Sequence, residues 1–386
     1  MTASSYQIFA ISVLAVDIID DLGMSRTALG FLGSLNTLVG AVTAPTMGRV
    51  TDRIGAKQAI VVIFAISAFG MALMALSGNW LLLAVSAIVS GIPQGWGNPA
   101  TNALIAERVS PEAQGGVTGI KQSGVQLGIF LSGLTLPGLG LLIGWRGALW
   151  GYAAAFVLGA AVVARSLDQA DEATRRARSA ESSAAARGAI PYFIWLLSLY
   201  AFFYGAAGGA IGRFFPLWAN EEVGLSTVVA GILVALGGLL GIGSRIAAGW
   251  AAQERIAPRS LLSILAAIGA LYCVTLALTT TVGSWILWPS TVLFAVGIGA
   301  WNAVAMLAVI VSVPRASAGR ASGIVMLGFL GGLSVGSPIA GAIVDRWDTY
   351  QPVWIGALAL SVLSSLLINP RFNRDPQPVT AGGSRA

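Results

Sequence analysis

"GRVTDRIGAK", residues 48–57, stands between two long apolar runs and carries four charges in ten residues. Each residue type has a physical use at such a place. Gly48 and Gly55 permit a tight turn and a close approach of helices. Asp52 can accept backbone N–H groups at a helix N-terminus. Arg49 and Arg53 can hold carboxylates or the carbonyl end of a helix, and Lys57 adds a further cation. A plainer reading makes the same charges an anchor on the inner side of a membrane.

Outward from this loop, apolar segments recur along the whole chain. Of 386 residues, 56% are hydrophobic and only 10% charged, with a mean hydropathy of +0.80. A soluble domain carries about 25% charge. Segments of spanning length, about 20 residues each, are predicted near 5–19, 26–47, 58–77, 80–106, 113–142, 145–166, 190–219, 225–252, 259–280, 284–312, 317–344 and 351–368. The expected class is an all-α polytopic membrane protein with twelve transmembrane helices. One long polar break, residues 165–191, reads as a solvated linker. The division is therefore 1–166 as a first six-helix bundle, 167–189 as a cytoplasmic linker, 190–369 as a second bundle, and 370–386 as a disordered cytoplasmic tail.

The net charge of +6 is topology rather than a footprint for nucleic acid. With the N-terminus inside, 17 Lys and Arg fall in inner loops and the inner tail, and 3 fall outside, at Arg26, Arg146 and Arg346. That asymmetry sets the orientation. Arg outnumbers Lys by 20 to 2 in an Ala- and Gly-rich chain, the usage of a GC-rich bacterial gene. The expected location is the bacterial cytoplasmic (inner) membrane, with both termini cytoplasmic. Cys273 is alone, so no internal disulfide can form. The chain has no histidine, which removes the commonest metal ligand and general base. No metal site or cofactor is expected, and no convergent acid–base set suggests an enzyme. No phosphate-binding loop is present, so ATP is not the driving force.

The two halves repeat. "IIDDLGMSRTALGFL" from residue 18 matches "ANEEVGLSTVVAGIL" from 219 at a shift of 201, and Asn98, Gly115, Gly119, Gly124 and Gly128 match Asn302, Gly319, Gly323, Gly328 and Gly332 at a shift of 204. Such a repeat marks many transporter folds. Segment seven begins near Ile190, and its counterpart falls before Met1 by about a dozen residues at this shift. The repeat thus predicts a native start upstream of Met1 or an imperfectly seated first helix, with a genuinely short first helix as the alternative.

The opening loop has the form Gly-x-x-x-Asp-Arg-x-Gly-x-Lys, after span two and on the inner side. It resembles the loop motif of the major facilitator superfamily. The resemblance covers essentially the whole chain: twelve spans, the central linker, "GWRGALW" at the fifth-to-sixth turn and "GAIVDRW" after span eleven. It implies two pseudo-symmetric six-helix bundles that rock about a central site, a monomer as the working unit, and a path lined by the first, fourth, seventh and tenth helices. It makes Gly48, Arg49, Asp52, Arg53, Gly55 and Lys57 an inner gate. In the second half, "GSRIAAGWAAQERIAPR" keeps Arg245, Gly249 and Arg255, but Gln253 or Glu254 stands near where the acid belongs, which implies a weaker latch. Span four lacks the arginine that proton-driven drug exporters of the family often carry there, and "GLTLPGLG" is only loosely like the antiporter Gly-Pro motif.

Polar side chains in apolar helices usually face a cavity or another helix. Gln94, Asn98, Thr101 and Asn102 share one face of span four, with Trp96 and Trp301 as walls and Asn302 as the repeat partner of Asn98. Thr118, Lys121, Gln122 and Gln126 share one face of span five. Lys121 lies about 12 Å from the inner end, inside a hydrocarbon core of about 30 Å. It either anchors an anionic group of the substrate, or snorkels and braces the inner gate. Arg213 is the second intramembrane cation; it either binds an entering anion or pairs with Asp17. Tyr204 is placed with the path, and Asp17, the one acid plausibly within a span, is the candidate proton carrier. Two cations against one acid favour a small organic anion, such as a carboxylate. The expected function is secondary active transport of such a solute, with a coupled proton or ion. The alternatives are an exporter of drugs or other hydrophobic compounds, and a transporter-like sensor or receptor.

Overall fold

The computed structural model describes residues 1–110, 114–166, 190–313 and 315–371. The expected linker 167–189 and the end of the tail lie outside the described residues, as do the side chains of Asp52 and Thr118. The described residues are helical almost throughout. Span one is Thr2–Val13 and Ala15–Leu22, two helices that meet at a 64° bend. Spans two, three and four are Arg26–Ile54, Ala56–Ala75 and Trp80–Arg108. The next helix, Gln114–Ser166, has 53 residues. At 1.5 Å per residue it would measure about 80 Å, far more than one crossing. Gly144, at φ 74° and ψ 156°, breaks it into spans five and six.

Spans seven, eight and nine are Tyr192–Glu221, Thr227–Glu254 and Pro258–Val282. Span ten is composite: a 3₁₀ turn Ser284–Ile286, a helix Leu287–Phe294, a π turn Ala295–Gly299 and a helix Ala300–Ser312. Spans eleven and twelve are Arg315–Trp347 and Gln351–Ile368. These are the twelve spans expected from the apolar pattern. The sides are named here by the charge asymmetry, with the loop 48–57 inner.

The repeat is visible in the local chemistry. Gly23 (φ 60°) and Gly224 (φ 75°) occupy the left-handed region two residues before a cap. The caps are Ser25 and Ser226, whose hydroxyls accept from the N–H groups of Ala28 (3.1 Å) and Val229 (3.3 Å). Each satisfies an orphan donor at the start of a spanning helix. Each half also ties the acid of its first loop to its fifth-to-sixth turn: Asp21 pairs with Arg146 at 2.6 Å, and Glu222 accepts from the backbone N–H of Tyr350 at 2.8 Å.

Each bundle has an aromatic centre. In the first, Tyr6 and Tyr152 stack with centroids 4.2 Å apart and Phe156 packs on their edge. In the second, Tyr200, Tyr204, Trp301 and Phe329 form one cluster. Exposed large side chains such as Val42, Leu158, Val162 and Ile246 are apolar, as a lipid-facing belt requires.

The bundles meet along two pairs of helices, two against eleven and five against eight. Small residues make the approach possible. A Cβ on Gly341 would collide with the carbonyl of Arg26, and one on Gly30 would lie 2.6 Å from the carbonyl oxygen of Ser337. Gly133 and Gly231 meet backbone to backbone in the other pair. At the outer end, the Asp345 carboxylate of span eleven caps the start of span two. It accepts from Arg26 N (3.0 Å), Thr27 N (2.8 Å) and Thr27 Oγ1 (2.5 Å). The Arg26 guanidinium reaches Glu221 of span seven at 3.0 Å, and Ser34 donates to the carbonyl of Ser334 at 2.5 Å. The outer ends of the bundles are thus joined.

A carboxylate on three donors at a helix N-terminus is worth about 1–3 kcal/mol, or roughly tenfold in the population of the sealed state. Replacing Asp345 by Ala is expected to speed maleimide labelling of a cysteine placed at Ser34 from the outer side by about tenfold. The native Cys273 is fully buried and silent in this assay. An unchanged rate would show that Asp345 does not hold the outer seam.

Candidate functional site

Span five carries Lys121, Gln122 and Gln126 inward from its polar start, and span four presents Asn98 and Asn102 to them. The Lys121 ammonium donates to Asn98 Oδ1 at 3.1 Å and to Asn102 Oδ1 at 2.5 Å. Gln122 Nε2 donates to the same Asn98 oxygen at 3.3 Å. Among the described residues no carboxylate pairs with Lys121. Asn102 is exposed and Lys121 half-buried, so this cluster is reachable by solvent. The two predicted polar stripes therefore meet each other, lysine to asparagine.

The two stripes end differently. Gln94 packs its side chain against Gly40 of span two, and its Oε1 is buried without a partner. Gln126 is buried where spans five, eight and ten converge: its Nε2 lies 3.4 Å from the carbonyl of Gly299, and its Oε1 has no partner. The π turn ends at Gly299, whose carbonyl also accepts from Arg245 Nε at 2.8 Å. Wide turns of this kind recur at functional sites. Arg245 Nη1 then crosses to the first bundle and donates to the carbonyl of Gln122 at 3.1 Å. The sequence suggested Arg245 as part of a gate, but neither this reach nor the role of Gly299 was legible. The glycine-rich "AVGIGAW" (295–301) was the available signal.

Two predicted path residues lie elsewhere. Trp301 and Tyr204 are buried in the aromatic centre of the second bundle, and Tyr204 donates to the carbonyl of Leu265 at 3.3 Å. They were expected to line the path. The packing of Tyr200 and Phe329 around Trp301 turns both inward. Asn302 is half-buried beside span eleven, with Nδ2 3.5 Å from Met326 Sδ. Trp96 is also core, donating to Thr51 Oγ1 at 2.7 Å. Of the gate residues, Arg49 and Arg53 are exposed at the inner end, Lys57 is half-buried, Gly48 approaches Pro99, and Gly55 (φ 89°) separates spans two and three. Gly249 has open space where a side chain would stand. Arg255 lies over the Trp250 ring at 5.1 Å on its own helix.

Arg213 is only 3% exposed. Its guanidinium crosses from span seven to span one, where Nη1 donates to the carbonyl of Ile8 and to Ser12 Oγ, both at 3.1 Å. Nε is buried without a partner. The head rests on span two where any Cβ on Gly33 would collide with it. The suggested pairing with Asp17 does not form among the described residues. Asp17 is half-buried in the second piece of span one, beyond the bend and beside Gly140. Beside Arg213 lies a cavity of about 90 Å³ between spans one, five, seven, eight, nine and ten. Its walls are apolar except at Ser12, Tyr272 and Thr291.

The family model of the Major Facilitator Superfamily matches residues 1–336. Among curated proteins, the chain is 27% identical to the probable sulfoacetate transporter SauU of Cupriavidus necator, over 97% of this chain and 93% of that protein. It is 25% identical to the membrane sensor protein UhpC of Escherichia coli, over 91% and 84%. Among solved structures, it superposes on a D-xylose–proton symporter with a TM-score of 0.78 at 15% identity, covering 95% of this chain and 94% of that one. A bacterial homologue of the human lysosomal transporter Spinster, inward-facing and occupied, gives 0.73 at 16% identity, over 95% and 93%. The last two likenesses concern the fold.

A lysine held by two amide oxygens is a costly group in an apolar helix. Lys121→Met keeps the length of the side chain and removes the charge. Its melting temperature in detergent is expected to rise by a few degrees. A lower melting temperature would make Lys121 a structural brace.

Proposed function

The chain belongs to the major facilitator superfamily, and from that premise we propose that it is a secondary active transporter of a small organic anion, such as a carboxylate. The observation that carries this reading is the state of its intramembrane cations. Lys121 meets two amide oxygens, and Arg213 meets a carbonyl and a hydroxyl. An ionised acceptor makes bonds roughly twice as strong as these neutral ones. A carboxylate can therefore displace Asn102 or Asn98 from Lys121 at a gain in affinity. The full-length likeness to a probable sulfoacetate transporter supports the same charge class.

The cycle follows from the seam. With the outer ends joined, an anion reaches Lys121 from the inner side, past Asn102. Gln122, Gln126, Gln94 and Asn302 supply further donors and acceptors along the way. Arg245 ties the bundles at this depth, and Arg213 ties them nearer the outer side. Rocking of the bundles then exchanges outer contacts for inner ones, with Asp52 and Arg53 in the inner latch. Asp17 stands beyond the bend of span one as the group to carry a coupled proton. The working unit is a monomer in the bacterial inner membrane, with cytoplasmic termini. An exporter of hydrophobic or cationic compounds fits less well, because its site wants an acid where this chain has lysine and arginine. The likeness to a membrane sensor favours a second reading, in which the anion binds and no flux follows.

Uptake of labelled carboxylates into proteoliposomes tests the proposal. The wild type is expected to accumulate at least one of them, and Lys121→Gln to lose at least tenfold in uptake while remaining monodisperse. Carboxylate uptake that survives Lys121→Gln unchanged would remove the lysine from the site, and transport of cationic dyes alone would favour the exporter. Binding without flux would favour the sensor.

A further inference from the structure

We infer that the cavity beside Arg213 is the seat of the substrate's apolar body, and that the substrate is a compact carboxylate with a short aliphatic chain. This rests on the anion reading above and goes further, to size, shape and the group that takes the charge. Three observations meet here. Arg213 is a buried cation whose Nε has no partner and whose Nη1 is held by neutral acceptors only. Ser12 both accepts from Arg213 and forms part of the cavity wall, so the guanidinium borders the cavity through one hydroxyl. The rest of the wall, including Phe9, Ile129, Phe215 and Phe294, offers an acyl chain apolar contact and few hydrogen bonds.

The volume sets the size. A cavity of about 90 Å³ is smaller than the cavity of about 150 Å³ that takes up a benzene ring. That suits a chain of three or four carbons and excludes a long acyl tail. Neutral polar solutes such as sugars fit poorly, because burying their hydroxyls against these walls leaves them unsatisfied. Lys121 is then the first cation that the entering carboxylate meets and Arg213 the second: with its chain in the cavity, the carboxylate has left Lys121, lies at Ser12 and takes the guanidinium. Arg213 then leaves Ile8 and Ser12, so binding removes a tie between span seven and span one. The same event that recognises the charge thus loosens the outer seam. The position of the head is fixed by Gly33, since any side chain there would displace the guanidinium.

Equilibrium binding of labelled butyrate to the purified full chain tests this, with acetate, octanoate and butyramide as competitors. Butyrate is expected to bind at least tenfold tighter than acetate or octanoate, and butyramide not to compete. Ile129→Phe, which fills the cavity and keeps Arg213, is expected to weaken butyrate at least tenfold and leave acetate within twofold. Arg213→Gln is expected to weaken both. Butyrate is also expected to speed labelling of a cysteine at Ser34 from the outer side. Butyrate affinity within twofold of wild type in both variants, with binding still lost in Lys121→Gln, would overturn this site and leave the anion reading standing. No binding of any carboxylate by the wild type would overturn both. Unchanged labelling with bound butyrate would overturn the exchange at Arg213.

Discussion

A charge inside a bilayer must find a partner, and in this protein the partners are neutral. Lys121, Arg213 and Arg245 are held by amide, carbonyl and hydroxyl oxygens. Each arrangement satisfies some of the donors, Arg213 Nε being left without a partner, and among the described residues none brings a carboxylate to the charge. Two of the three, Arg213 and Arg245, cross from one bundle to the other, so the least compensated charges also hold the moving parts together. Small residues let the helices come close enough for these bonds to form. An anion that enters the seam competes with the bonds that keep it shut.

The outer end is built on a different principle. Arg26 and Glu221 pair full charges at the membrane surface, where water softens the cost of separating them, and Asp345 caps a helix beside them. The motif Gly-x-x-x-Asp-Arg occurs at 48–53 and again at 341–346, each time at the end of a helix in the antiparallel pair two and eleven. In this state the second copy is engaged, with Asp345 on the first turn of span two. The two ends of that pair therefore carry the same sequence motif, while the middle carries cations held by neutral acceptors.

Much of the fold was legible because a spanning helix is a long, simple signal. Twelve apolar runs, the Gly-and-Ser starts of spans two and eight, and the pairing of Gly23 with Gly224 all appear in the structure where the pattern put them. The rotation of a helix about its axis was harder to read. An aromatic residue in an apolar helix suits either a cavity or a core, so Trp301 and Tyr204 were assigned to the path, although the packing of Tyr200 and Phe329 turns them inward. Lys121 and Asn98 were found because polar residues repeat at helical spacing. The reach of Arg245 to Gln122 and of Arg213 to Ile8 was not legible, since contacts between bundles leave no periodicity in either helix. Nor did composition show the cavity, whose walls come from six separate spans.

The most direct test of an anion-responsive seam is the thermal stability of the wild-type protein with matched ligands. Short carboxylates, their neutral amides and organic cations of the same size would be compared at equal concentration. A rise in melting temperature with the carboxylates alone, growing with concentration as binding to the folded state requires, is the predicted result. Equal stabilisation by the neutral amides, or stabilisation by cations instead, would contradict the assignment of these buried cations to an anionic substrate.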